Sequence, residues 1–193
     1  MEVPKRLLAV ADQLQVLNPS FHSVKYNAEP WKVKFPGDED LESITANFPI
    51  GVSRGDLFEL AGSVSKDLSH VRRLFFAVMI WGYGTDSRGP WRVSQMLSHP
   101  NAIERLVSGA RLVQDQNFKQ VYLHFRMANQ GKLAQFGPSF MTKFFYFIGA
   151  ACGLNPMPLI LDNRVALGMD MLARDGDNLQ AIACVSGGRL TRN

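Results

Sequence analysis

NQGKLAQFGPSFMTKFFYFIGAAC, residues 129–152, is the stretch whose reading decides the fold. Gly131 and the Gly137-Pro138 pair interrupt two runs of helical spacing. The first carries Phe118, Val121, Tyr122 and Phe125 and closes near Asn129; the second opens at about Ser139. Two helices joined by so short a break form a helix-hairpin-helix spanning about residues 118–152. The Ser139 hydroxyl can cap the second helix, and Gly137 supplies backbone freedom where the chain reverses. Such a turn leaves N–H groups unpaired, and with the positive end of a helix dipole behind them these donors hold a phosphate without reading sequence. Gly137, Ser139 and Thr142 are therefore expected to face DNA.

Lys143 falls in what the spacing predicts as the first turn of the second helix, followed by Phe144, Phe145, Tyr146, Phe147 and Ile148. A positive dipole end and apolar neighbours both favour the neutral amine, the form that attacks carbon. A lysine taken alone more often snorkels its ammonium to water, so the functional reading needs a partner. Asp162 supplies one. It ends the run PLIL and precedes NRVALGMDML, whose Val165, Met169 and Leu172 keep helical spacing, so it also reads as an ordinary N-cap. The two roles are compatible, because a carboxylate pinned at a helix start can stabilise the cationic character that builds on a sugar as its N-glycosidic bond breaks.

FGPSFMTK, then a helix, then PLILDNRVA, with Lys143 and Asp162 separated by 19 positions, resembles the helix-hairpin-helix DNA glycosylase superfamily, in particular its 8-oxoguanine DNA glycosylase branch. The resemblance implies an all-α bundle with an active-site cleft, a Schiff base between Lys143 and C1′ of the sugar, and electrostatic support from Asp162. It covers roughly residues 70–175. HVRRLFFAVMIWGYGTDSRGPWRVSQML looks like the family's long helix, strand-separating loop and following helix, which would set Trp81, Tyr83 and Arg88 near the place an extruded nucleotide vacates. The hairpin departs from the family in carrying Pro138, Ser139, Phe140 and Met141 where relatives are richer in glycine. The resemblance implies no cofactor, double-stranded DNA with an altered base as partner, and a step of abasic-site lyase chemistry as an option.

Working outward, the 193 residues carry a formal charge of +4, which suits a phosphate backbone without requiring one. One domain over 1–193 and a monomer are expected. Cys152 and Cys184 are too few for a four-cysteine iron–sulfur cluster or a secreted disulfide scaffold, which points to a reducing cytoplasm. His22, His70, His99 and His124 show no metal-binding spacing, so no metal is expected. No uncharged apolar run is long enough to span a membrane, and the opening MEVPKRLLAVADQLQVLN reads as an amphipathic helix. Residues 18–40, rich in proline and aromatics, read as an irregular or weakly extended connection, with short strands a possibility near 20–36.

Beyond residue 41 the spacing is helical throughout. Val71, Leu74, Phe75 and Val78 mark one buried face, and Ile103, Leu106, Val107, Ala110 and Val113 another. Roughly seven to nine short helices follow from the breaks. The run from Phe144 to Ile148 is apolar all round and reads as the central helix. Tyr83, between two glycines, is expected to escape burial, whereas Trp91 is assigned to the core. Arg88 and Arg92 flank a Gly-Pro turn and can reach phosphate or simply face water. Lys32 and Lys34 beside Phe21, Tyr26, Trp31 and Phe35 fit a half-buried extended segment better than a nucleic-acid patch.

Three functions remain open on these grounds. The first is a DNA glycosylase acting on an oxidised purine such as 8-oxoguanine, or, in a defence variant, on modified cytosine of phage DNA such as glucosylated hydroxymethylcytosine. The second is a DNA-binding module that keeps the hairpin for phosphate contact alone. The third is a helical interaction protein with a coincidental lysine and aspartate.

Overall fold

The computed structural model describes residues 9, 12–13, 18–127 and 130–174. Most of the expected first helix, Cys184, and the side chains of Met169 and Leu172 lie outside the described residues. After a 3-10 turn at Pro19–Phe21 come β1 (Ser23–Lys25), α1 (Glu29–Lys34), α2 (Glu39–Asn47) and β2 (Gly51–Ser53). The two strands pair antiparallel with Val24 opposite Val52. The strand at 23–25 falls in the window expected for one, but Glu29–Lys34 is helical where an irregular chain was expected. Pro30 sits in that helix's first turn, where its missing N–H removes no bond, and Trp31, 2% exposed, anchors it to the core.

Seven further helices follow among the described residues: α3 (Arg54–Lys66), α4 (Val71–Tyr83), α5 (Arg88–Leu97), α6 (Ala102–Gln114), α7 (Phe118–Arg126), α8 (Pro138–Ala151) and α9 (Asn163–Arg174). α3 opens with a reciprocal capping box, Asp56 N–H donating to Ser53 Oγ at 3.1 Å and Ser53 N–H to Asp56 Oδ2 at 2.7 Å. The fold class is all-α with a token sheet.

α4 and α8 form the centre. α4 buries Val71 and every residue from Leu74 to Trp81, and α8 buries Phe144, Phe145, Phe147 and Ile148. α3 and α6 pack on both, α2 and α5 pack on α4, and α7 packs on α6. Phe75 meets Phe136 and Phe144 edge to face at 5.7 and 6.3 Å. Each fully buried aromatic contributes about 1.5–3 kcal/mol, so this cluster fixes the α4–α8 crossing on which the site depends. Arg72 on α4 donates to Asp38, which also caps α2, and to Asp40 at 3.0 Å, tying α2 to the central helix. Among the described residues, no helix is long and apolar enough to cross a membrane.

Candidate active site

α8 begins one residue before the position expected for its cap. Gly137 is the N-cap, with φ −80° and ψ 174°, and Pro138 takes the first helical position, where its fixed φ suits the start. Ser139 is therefore inside the helix and caps nothing. The left-handed residue of the reversal is Gln135, φ 62°, rather than Gly137, whose backbone any residue could adopt. Lys143 consequently stands in the second turn of α8, not the first.

From there its side chain runs back toward the helix start, as long helical side chains do. Nζ donates to Ser139 Oγ at 3.0 Å, to the Ser139 carbonyl at 3.3 Å and to Asp162 Oδ2 at 3.1 Å. An ammonium has three protons, and three oxygens surround this one. The residue is 7% exposed, and Phe140 covers it with its ring centroid 5.6 Å from Nζ. A buried cation left unpaired would be strongly destabilising, so the Asp162 contact is what lets the lysine remain inside.

Asp162 is held as firmly. Its Oδ1 accepts from the N–H groups of Arg164 and Val165, both at 3.1 Å, which caps α9 and leaves Oδ2 facing Lys143. Partial burial works to raise its carboxyl, but the Val165 amide, the Lys143 ammonium and the Arg164 amide together hold it below the usual carboxylate range. One residue earlier the chain is tethered to α8. Leu161 N–H donates to Thr142 Oγ1 at 2.9 Å, and that hydroxyl in turn donates to the Pro138 carbonyl at 2.8 Å. Thr142, expected to face DNA, is 5% exposed, with its hydroxyl committed to placing the segment that carries Asp162.

A further wall beside Lys143 comes from the end of α4. A Cβ built on Gly82 would stand 2.6 Å from Phe140 Cε1 and 3.6 Å from Lys143 Cδ, so only glycine admits both side chains here. Neither Gly82 nor Phe140 was singled out from the sequence; the available signal was a glycine inside an otherwise apolar helical run. Tyr83, expected to escape burial, is 9% exposed and stacked on Phe140 with centroids 4.2 Å apart. The helix continues through Gly82 and stops only at Gly84, φ 56°, so Tyr83 still belongs to the face turned toward α8. Burial pushes the Tyr83 phenol up, against a smaller pull downward from nearby Arg92.

The other residues of that loop divide differently from expectation. Trp81 is 6% exposed, packed against His22 and Phe147, and so does not face an emptied nucleotide position. Trp91, assigned to the core, is 52% exposed, because Gly89 and Pro90 occupy the buried side of the first turn of α5. Arg88 is exposed and folded onto its own loop, donating from Nε and Nη2 to Asp86, and that bond holds the Asp86 carboxyl down to about 2.

Between α7 and α8 the chain is braced to α6. Gly131 N–H donates to the His124 carbonyl at 2.9 Å, Arg105 Nη1 to the Lys132 carbonyl at 2.6 Å, and His124 Nε2–H to the Arg105 carbonyl at 3.1 Å. The backbone amides of Ala134, Gln135 and Ser139 have no acceptor among the described residues. Beside them lies a recess of about 490 Å³ that includes Arg126, Lys132, Gln135 and Gly137 in its lining. No group of three or more His, Cys, Asp or Glu side chains is placed to hold a metal among the described residues.

No curated protein and no solved structure matches this chain. A family model does, described as "Putative 8-oxoguanine DNA glycosylase OGG-like protein", over residues 18–185, a span that contains Lys143, Asp162 and every element named above. The chain belongs to this OGG-like DNA glycosylase family.

Proposed function

We propose that this chain, as one domain, excises an extruded altered base from double-stranded DNA, with Lys143 as nucleophile and Asp162 as its charge partner. The observation that carries the reading is the buried contact of 3.1 Å between Lys143 Nζ and Asp162 Oδ2, made by residues brought together from α8 and the start of α9. The amine, after giving up one proton, donates its lone pair to C1′ while the bond from C1′ to the base breaks. The base leaves with the electron pair of the broken bond and takes up, through solvent, the proton that the lysine gave up. Asp162 offsets the positive charge that spreads over the sugar as the bond lengthens. Ring opening of the amine adduct gives the Schiff base, from which water releases the sugar or β-elimination cuts the strand. An oxidised purine such as 8-oxoguanine is the substrate class that the family description favours.

The α7–α8 turn supplies the DNA grip in this reading. The amides of Ala134, Gln135 and Ser139 and the cations of Arg126 and Lys132 address phosphates, so binding to plain duplex is weak, independent of sequence and salt-dependent, the logarithm of the constant falling by about 0.9 for each phosphate neutralised. Borohydride trapping on a duplex carrying 8-oxoguanine tests the chemistry. Lys143→Gln abolishes the trapped adduct while leaving binding and helical content intact. Asp162→Asn keeps the cap of α9, since asparagine caps about as well, and slows excision at least tenfold in single turnover. Wild-type excision rates in both variants would refute the assignment.

A further inference from the structure

Every proton of the Lys143 ammonium is committed inside the protein. Nζ donates to the Ser139 hydroxyl at 3.0 Å, to the Ser139 carbonyl at 3.3 Å and to Asp162 Oδ2 at 3.1 Å, and the Phe140 ring lies over this buried residue. A proton leaving the nitrogen therefore passes first to one of three oxygens. They differ in what they can do with it. The carbonyl accepts hydrogen bonds but has no proton to hand on. Asp162 cannot take the proton and keep its part, because a protonated carboxyl no longer offsets positive charge on the sugar. The amides of Val165 and Arg164 on Oδ1 also hold it ionised. Of the three, only the Ser139 hydroxyl accepts and donates at once. Ser139 stands four residues before Lys143 on the same face of α8, and it is half-buried. Among the described residues its hydroxyl proton has no acceptor, so the oxygen bonded to the nucleophile still has a proton to give.

Two protons leave Nζ on the way to a Schiff base. The first converts the ammonium to the amine before attack. The second becomes acidic once the nitrogen has bonded to C1′, and until it goes the nitrogen has no lone pair with which to open the sugar ring. We infer that the Ser139 hydroxyl carries this second proton, a conclusion that rests on the glycosylase reading above. Ser139 Oγ takes the proton from the nitrogen as its own proton passes to water, so the serine ends unchanged and uncharged. The freed lone pair forms the C=N bond while the bond from C1′ to O4′ breaks. O4′ leaves with that bond's electron pair and takes up a proton from water. One proton has left the nitrogen and one has reached O4′, and the iminium carries a positive charge that faces a still ionised Asp162. Glycine in place of Ser139 would leave Nζ a carbonyl and a carboxylate, with no group that both takes and gives a proton.

Following both bonds to C1′ tests the relay. In single turnover at saturating protein on a duplex carrying 8-oxoguanine, base release reports cleavage of the N-glycosidic bond, and borohydride trapping reports the Schiff base that ring opening forms. Ser139→Ala keeps the helix and the backbone amide and removes the hydroxyl; Ser139→Thr keeps a hydroxyl at the same place. With alanine the ratio of the trapping rate to the base-release rate falls about tenfold or more, and threonine restores most of it. Thermal melts show that both variants are folded. If Ser139 only holds the lysine in place, base release and trapping fall together and the ratio does not move, so the relay is overturned and the glycosylase reading stands. A ratio that falls with threonine as far as with alanine overturns the relay as well. A duplex carrying a preformed abasic site measures the relay apart from excision, and there too alanine slows trapping about tenfold or more while threonine recovers it. That result from a chain that releases no base upholds the relay and overturns excision, whereas alanine trapping at the wild-type rate overturns the relay. No adduct from the wild-type chain on either duplex overturns the relay and the nucleophile together.

Discussion

Thr142 shows how a single hydroxyl governs a pair it does not belong to. Its hydroxyl bonds are to neither Lys143 Nζ nor Asp162 but to the Pro138 carbonyl and the Leu161 amide, and they hold the incoming chain against α8 immediately before the carboxylate. Thr142→Val keeps shape and burial and removes both bonds, which should cost about 1–3 kcal/mol because the Leu161 N–H loses its partner. Single-turnover excision should slow with little change in DNA affinity, and Thr142→Ser, which restores the hydroxyl, should recover most of the rate. Equal defects in the valine and serine variants would mean that the threonine methyl packs rather than the hydroxyl positions. At this scale Lys143 and Asp162 were legible from residue type and spacing. The role of Thr142 was not, since a threonine near a helix start reads equally well as an exposed phosphate contact.

At the scale of elements, the closeness of α4 and α8 is what shapes the surroundings of Lys143. Gly82 is the contact point, and the Tyr83–Phe140 stack extends it by one residue. Gly82→Ala sets two effects against each other. Alanine favours the helix by about 1 kcal/mol over glycine, while the new methyl group displaces Phe140 at a cost of about 1–3 kcal/mol. Net stability should therefore fall by no more than about 2 kcal/mol by denaturant titration, whereas borohydride trapping should slow by tenfold or more because Lys143 Cδ lies behind the same ring. A variant with normal trapping would show that the ring moves freely without disturbing the lysine. The positions of Tyr83 and Trp91 were misread for one reason: which side of a short helix is buried follows from its neighbours, and Gly82, Gly89 and Pro90 let backbone approach where larger residues could not.

For the whole molecule, pH acts through groups in different places. His124 is pushed below its ordinary value of 6.5, first by burial, and must stay neutral beneath the α7–α8 turn. Asp38, at the α2–α4 contact, and Asp162 are both held below 3.8: burial opposes this in each, and for Asp38 the bonds from Arg72 and Leu41 prevail. All three folded values lie below the unfolded ones, so their stabilisation is complete above the unfolded values and is lost as pH falls through the folded values. Thermal melts from pH 8 to 3 should show a first decline beginning near 6.5 and a second beginning near 4. His124→Gln should remove the first and keep the second. A decline near 6.5 that survives this substitution would place the titrating group elsewhere.

The sequence by itself determined the all-helical class, the buried runs of α4 and α8, and the identity of Lys143 and Asp162 as a pair worth joining, because periodicity and residue chemistry are local properties that survive without coordinates. It also placed a strand in the right window, though not the six-residue helix after it, since a helix that short is held by the burial of Trp31 and not by its own propensity. Only the tertiary structure decided that Thr142 points inward to hold the segment before Asp162, that Gly82 and Phe140 wall the lysine, and that the Arg54 guanidinium lies over Trp81. Each of these depends on which surfaces of separate segments meet, and that is settled by packing across chain distances that no spacing rule spans.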